Sequence, residues 1–378
     1  MNLKINQIVL YGLLLRVINA FYVGFIDDSV TSGDSSSFHF TAVNEWYDLY
    51  RQRYPTFFQR DSILIDGSRL YITFLKIIYN LTIPHIFIGC LFSCFAWFLS
   101  AKILINISAV LKMNERSQKL ALIFYSFLPT SIIYCSIPLR EAFQLLLVNF
   151  CSLIFLKIGH FNKTNIKNIL FIFILSYLLA SLHYSFLFSS IIMFSIVLYF
   201  NFYDRLRSKV LNIFLFVFSV YAGVSLFNNI FSMMYEAELY EALQRFNDGS
   251  SSANSRGTYR LISELNSSSD LLVFITYSFF QYMLEPLPTR IGNFKDLLSF
   301  FENFSRLLLL VIGIYNLKKY KFFRPQFIII FYFLIIELIW SVGTTNWGTA
   351  SRHHIPSLGI LSILGFMLPN DFYKKIVK

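Results

Sequence analysis

Charge is scarce in this chain. Only 14% of its 378 residues are Asp, Glu, Lys or Arg, while 56% are hydrophobic and 19% aromatic, a balance suited to lipid rather than water. Cysteine is scarcer still: Cys90, Cys94, Cys135 and Cys151 lie in or beside apolar segments, without the loop setting or histidine partners of a disulfide framework or metal site. They read as small core residues. No glycine-rich phosphate loop, zinc motif or nucleophile elbow is visible. No internal repeat is evident, which counts against a transporter built from inverted halves. Nor is there a clear small-x-small cleavage site before Asp27, and Arg16 interrupts the first apolar stretch, so that stretch is expected to be a retained helix rather than a signal peptide.

What is abundant is apolar length. Segments 8–26, 83–110, 118–136, 139–157, 168–183, 185–202, 210–231, 297–316, 325–341 and 354–369 predict about ten membrane crossings and an all-α polytopic fold. The formal net charge of +11 comes from basic residues clustered between these runs, as topology signals are, and not from a nucleic-acid surface. The clusters around Lys112, Lys163, Arg207, Lys319 and Lys375 all fall on one side, the cytoplasm, under the positive-inside rule. One further apolar stretch, 269–284, would invert everything after it if it crossed. A re-entrant or interfacial hairpin over 269–296 resolves the parity, and Pro286 and Pro288 in LEPLPTR suit a chain that breaks and turns there. Both termini are then cytoplasmic. The outside receives two long loops, 27–69 and 232–268, and shorter ones carrying Arg140–Glu141, Glu285–Arg290 and Arg352–His354.

Three stretches on that outer face could carry chemistry. In SIPLREAF, Glu141 suits the positive end of a helix dipole and Arg140 can reach headgroups; the same geometry also suits a lipid-linked diphosphate. In FIDDSVTSGDSSSFHFTAVNEW, Asp27 and Asp28 leave the first helix, and Asp34 or Ser35 is placed to cap a short helix running through Glu45. A carboxylate held there either covers the bundle, activates an acceptor hydroxyl, or binds a sugar or a divalent cation; His39 is a candidate to join Asp34. In GTTNWGTASRHHIPSLG, Arg352, His353 and His354 precede Pro356 at the mouth of the last helix. They are either interfacial anchors or a site where Arg352 binds diphosphate beside Arg140, one histidine exchanges a proton or holds the leaving pyrophosphate, and Trp347 stacks on a sugar.

Taken together, Arg16 in a first helix ending in Asp27 and Asp28, GDSSSFH, LPTSIIYCSIPLREA, the PLP turn before an amphipathic helix, and RHHIP resemble bacterial polytopic sugar transferases. These are membrane glycosyltransferases of the GT-C type and the repeat-unit polymerases of O-antigen and capsule. The resemblance implies a single transmembrane domain over 1–378 whose periplasmic loops form the site, in the bacterial inner membrane, acting on an undecaprenyl-linked oligosaccharide. It implies no cofactor beyond a divalent cation, and a chain-length regulator or flippase as partner. Carried onto this chain, the acidic catalytic role of GT-C enzymes falls on Asp27, Asp28 or Asp34, and the polymerases' outer-loop arginines on Arg140, Arg256 and Arg352. The rival class is a lipid-linked oligosaccharide flippase, which would line a path with charge; Arg16, Lys76, Lys102, Arg306 and Glu337 are sparse for that.

Overall fold

The computed structural model describes residues 4–27, 33–44, 69–159, 166–203, 257–258, 268–320 and 323–367, with isolated positions between 210 and 229. Among these residues the architecture is all-helical, with one isolated bridge between Thr258 and Asn346. In chain order the helices are α1 (Ile5–Phe25), α2 (Gly33–Asn44), α3 (Arg69–Leu81), α4 (Ile86–Val110), α5 (Glu115–Phe127), α6 (Pro129–Tyr134) and α7 (Glu141–Gly159). Then come α8 (Ile166–Leu182), α9 (Ser185–Tyr203), α10 (Ser268–Leu284), α11 (Phe294–Tyr320), α12 (Phe323–Val342), α13 (Trp347–His353) and α14 (Leu358–Phe366). Five of them, α1, α4, α7, α11 and α12, are long and apolar enough to cross a membrane.

Two expected crossings take another form. The 118–136 segment breaks at Leu128, whose backbone is extended, and restarts as α6 with Pro129 in its first turn. Proline lacks the N–H that a continuous helix needs and clashes with the preceding turn, so a hydropathy run alone overstates the helix. The last apolar segment forms α14, nine residues long and therefore about 14 Å, less than half of a hydrocarbon core. Its side chains are buried almost all round, against α5 and α11 among others.

Small residues let the central helices approach. Gly89, Ser93, Ala96, Ser100 and Ala101 are buried on α4, which packs most extensively on α7; Asn149 Nδ2 donates to Ser100 Oγ at 2.8 Å across that seam. A Cβ on Gly12 would lie 2.7 Å from the Trp97 ring and 2.8 Å from Ser126 Cβ, so glycine is what allows α1 to lie against α4 and α5. One turn further along α1, Arg16 is fully buried with its guanidinium 3.6 Å from the Trp97 ring centroid. Its fork donates to the carbonyls of Gly12 and Ser126, both at 2.9 Å, and to Ser131 Oγ at 2.7 Å. This charge ties α1 to the α5–α6 break, where the interrupted helix leaves carbonyls free to accept. Lys76 and Lys102, by contrast, lie exposed on the flanks of α3 and α4.

The polar stretches gather at one end of the bundle. α2 and α3 cover that end through a second apolar core, in which Phe38, Ala42, Tyr71, Leu75 and Tyr79 meet Ala20 and Val23 of α1 and Ile137 and Leu139 before α7. Glu302 near the start of α11 reaches Thr130, whereas Asn316 near its far end reaches the Met367 carbonyl. α10 is unbroken and packs on α12; the chain then reverses through Glu285–Arg290 into α11. The connection before α10, which decides whether 269–296 is a re-entrant hairpin, lies outside the described residues, as do Asp28, Arg256 and most of 232–268.

Candidate functional site

Arg352 is the centre of the cluster. Asn346 caps the seven-residue α13 by accepting from Thr349 N–H at 2.8 Å, and the helix carries Arg352 and His353 in its last turn, where cations meet the negative dipole end. Arg352 Nη1 lies 2.5 Å from Asp34 Oδ2 in the first turn of α2, and its Nε lies 3.1 Å from Glu141 Oε1 in the first turn of α7. The second approach is an ion pair off the hydrogen-bond line, since Nε has no hydrogen-bonded partner. Glu141 is 1% exposed, Arg352 13% and Asp34 52%, so the pair is anchored at one carboxylate and open at the other. Burial works against the charged guanidinium, but Glu141 and Asp34 outweigh it and hold Arg352 above its ordinary range. Three segments far apart in sequence, each singled out by its residues, thus converge.

The expected pairing inside this group is rearranged. Glu141 adjoins Arg140 in sequence and could orient it, yet it forms an ion pair with Arg352. Arg140 Nη1 instead donates to the Leu182 carbonyl at the end of α8, at 3.3 Å, and its guanidinium carbon stands 6.0 Å from the Phe38 ring. That contact brings in His183, which sequence reading passed over although it sits in a turn between two apolar runs on the same face. Burial, then Arg140 and Arg352, push His183 well below its usual range.

His353 lies beneath the arginine, its ring stacked on Trp340 at 3.9 Å; His183 packs on the same indole at 4.6 Å. Its tautomer is fixed by the partner. Thr344 Oγ1 donates its only proton to the Trp340 carbonyl at 2.7 Å, so at 2.8 Å from His353 Nδ1 it can only accept. His353 therefore carries its proton on Nδ1 and a lone pair on Nε2. Burial first, then the Arg352 charge, hold its pKa well below 6.5. A neutral ring with a free lone pair takes a proton but offers none to a phosphate, so of the two roles expected for a histidine here, proton acceptance fits His353.

Other expected members lie elsewhere. Residues five apart on a helix point about 140° from each other, and His39 accordingly faces away from Asp34, its Nδ1 2.9 Å from Tyr79 Oη. Asp27 stands with His39 in a separate cavity. His354 turns to α12, its Nδ1 2.6 Å from Glu337 Oε2, while Ser357 donates to the other oxygen; the three are buried and join the two helices. Trp347 is buried, donates from Nε1 to Asp296 at 3.0 Å and receives no open stacking face, acting as a strut that its backbone extends to Gly257. Glu285 and Arg290 pair at 3.1 Å and close the LEPLPTR turn, with Asn303 donating to the Glu285 carbonyl at 2.5 Å. Among the described residues, no group of three or more His, Cys, Asp and Glu could hold a metal ion.

Compared with known proteins, the chain matches no family model, no curated protein and no solved structure.

Proposed function

We propose that this chain is a bacterial inner-membrane glycosyltransferase whose site faces the periplasm, most simply a polymerase of surface polysaccharide using undecaprenyl-linked donors. The observation that carries the reading is the Asp34–Arg352–Glu141 group: a half-exposed carboxylate and a buried, anchored guanidinium at one end of a bundle of apolar helices. The arginine supplies a planar fork for a diphosphate, and the carboxylate a base for a sugar hydroxyl. In the resting state each occupies the other. A donor diphosphate competes for Arg352 while Glu141 keeps the guanidinium in place, and Asp34 is released toward the acceptor. Asp34 takes the acceptor proton, the acceptor oxygen bonds the anomeric carbon, and the bond from that carbon to the lipid diphosphate breaks. His353, with Nε2 unprotonated, receives the proton in turn. Crossings beyond the five long apolar helices, and cytoplasmic termini, belong to this proposal. The decisive experiment is lipopolysaccharide or capsule chain length in a deletion strain: undiminished polymer rules the reading out.

Two narrower outcomes follow from the geometry. His353→Gln lowers transfer about 100-fold, at the modest end of acid–base contributions, and Thr344→Val lowers it less by freeing the wrong tautomer. In the unfolded chain His353 protonates near 6.5, whereas in the fold its pKa is depressed, so its contribution to stability is lost as pH falls below 6.5 and the acid limb of the rate profile lies below that value. A rate that is insensitive to both substitutions removes His353 from the mechanism. Topology is the second: cysteines at positions 290 and 320, at opposite ends of α11, label from the periplasm and the cytoplasm respectively. A cytoplasmic label at 290 would sink the periplasmic site.

A further inference from the structure

One polar side chain beside Arg352 takes no part in the ion pairs. Tyr134 is the last residue of α6, the short helix that restarts at Pro129, and α6 packs against α13. The break at Leu128 lets this segment leave the axis of α5 and end there. The Tyr134 hydroxyl, half-buried, meets the Gly348 carbonyl at 3.5 Å, about half an ångström beyond an ordinary O–H···O bond. So long a contact does not hold the proton. Gly348 and Arg352 are four residues apart and share one face of α13, and helical side chains lean toward the N-terminus, so Arg352 leans back over the turn that carries Gly348. Gly348 is exposed and has no side chain to stand between phenol and guanidinium. The electrostatics agree: of the charged groups acting on the Tyr134 hydroxyl, Arg352 comes first and Glu141 second, and Tyr134 acts on Arg352 in return.

This cluster is short of neutral donors. A diphosphate carries more oxygens than one guanidinium fork can serve. Ionised Asp34 and Glu141 only accept, and His353, with its lone pair on Nε2, offers that atom no proton to give. Arg140 donates to the Leu182 carbonyl. A phenol keeps its proton at neutral pH and carries no charge, so it adds a donor to the anion without needing a counter-charge of its own.

We propose that Tyr134 is a further substrate-binding residue, whose hydroxyl donates to a phosphate oxygen of the diphosphate seated on Arg352 and exchanges its long contact with Gly348 for a short charge-assisted bond. This role rests on the reading of Arg352 as the diphosphate seat, and it adds a second donor from a separate helix.

The test is calorimetric titration of the purified full-length chain, in detergent, with inorganic pyrophosphate. Tyr134→Phe deletes one oxygen and keeps the ring; it is expected to weaken binding about tenfold while the melting temperature stays at the wild-type value. A purely structural phenol would lower the melting temperature and leave the affinity of the folded protein alone. A second measurement keeps the hydroxyl in place: 3-fluorotyrosine at position 134 should give a fluorine resonance that pyrophosphate moves, and that it no longer moves once Arg352→Lys is added. Wild-type affinity in Tyr134→Phe, or a fluorine resonance that pyrophosphate leaves still, overturns the role of Tyr134; if Arg352→Lys nonetheless abolishes binding, the diphosphate seat itself stands. No binding to the wild-type chain overturns both. Pyrophosphate binding that needs Tyr134, in a protein whose deletion leaves polymer undiminished, refutes the transfer reading and leaves the role of Tyr134 standing.

Discussion

Asp34→Asn is expected to reduce polymer synthesis by 1,000-fold or more, toward the upper part of what a positioned base contributes, while membrane abundance stays at the wild-type level. The two halves of that expectation have separate causes. Asp34 is 52% exposed, and ion pairs that water reaches contribute about 0–1 kcal/mol, so removing this charge costs the fold little. Asparagine keeps the volume and the helix-start preference but cannot take the acceptor proton. Arg352→Lys should be nearly as severe. Lysine keeps the charge but lacks the fork that spans Asp34 and Glu141, and a diphosphate offered to a single ammonium loses its parallel bonds. Polymer ladders on gels, read against protein level in membranes, decide the matter. A full ladder from Asp34→Asn would make the cluster a structural clasp between α2, α7 and α13.

The largest effect on stability should come from Glu302. Its carboxylate receives Thr130 N–H at 2.9 Å and Thr130 Oγ at 2.5 Å, and pairs with Arg306 at 3.1 Å, all buried. It thereby caps the start of α6 with a group from α11 and satisfies a backbone N–H that the Pro129 interruption leaves open. Glu302→Leu strands the Arg306 guanidinium without its carboxylate, which costs about 3–5 kcal/mol when a buried pair is broken from one side. Thermal unfolding in detergent, or loss of the protein from membranes, should register this. Adding Arg306→Met removes the stranded charge and recovers much of the loss. If the single leucine variant melts with the wild type, the pair does not fasten α11 to α6.

The solvent and the helical class followed from the chain alone, because hydropathy is a local property: windows such as 86–110 and 324–342 need no partner to be too apolar for water. Local signals also selected Asp34, Arg140, Glu141 and Arg352, since charges at the mouths of apolar runs are visible without a fold. They went wrong where a single residue outweighs a window, as Pro129 does within 118–136. They could have separated His39 from Asp34, because a helix fixes their angle, but not the choice of Arg352 over Arg140 as the partner of Glu141. That choice depends on α13 arriving beside α7, a meeting of segments that no periodicity encodes. The same holds for Arg16 on the Trp97 ring and for the proton on His353, set by a threonine whose own proton is taken by Trp340. Sequence determined which side chains are too polar for their surroundings; only packing decided which of them satisfy one another, because in lipid each must find a partner and the nearest one in space is seldom the nearest in the chain.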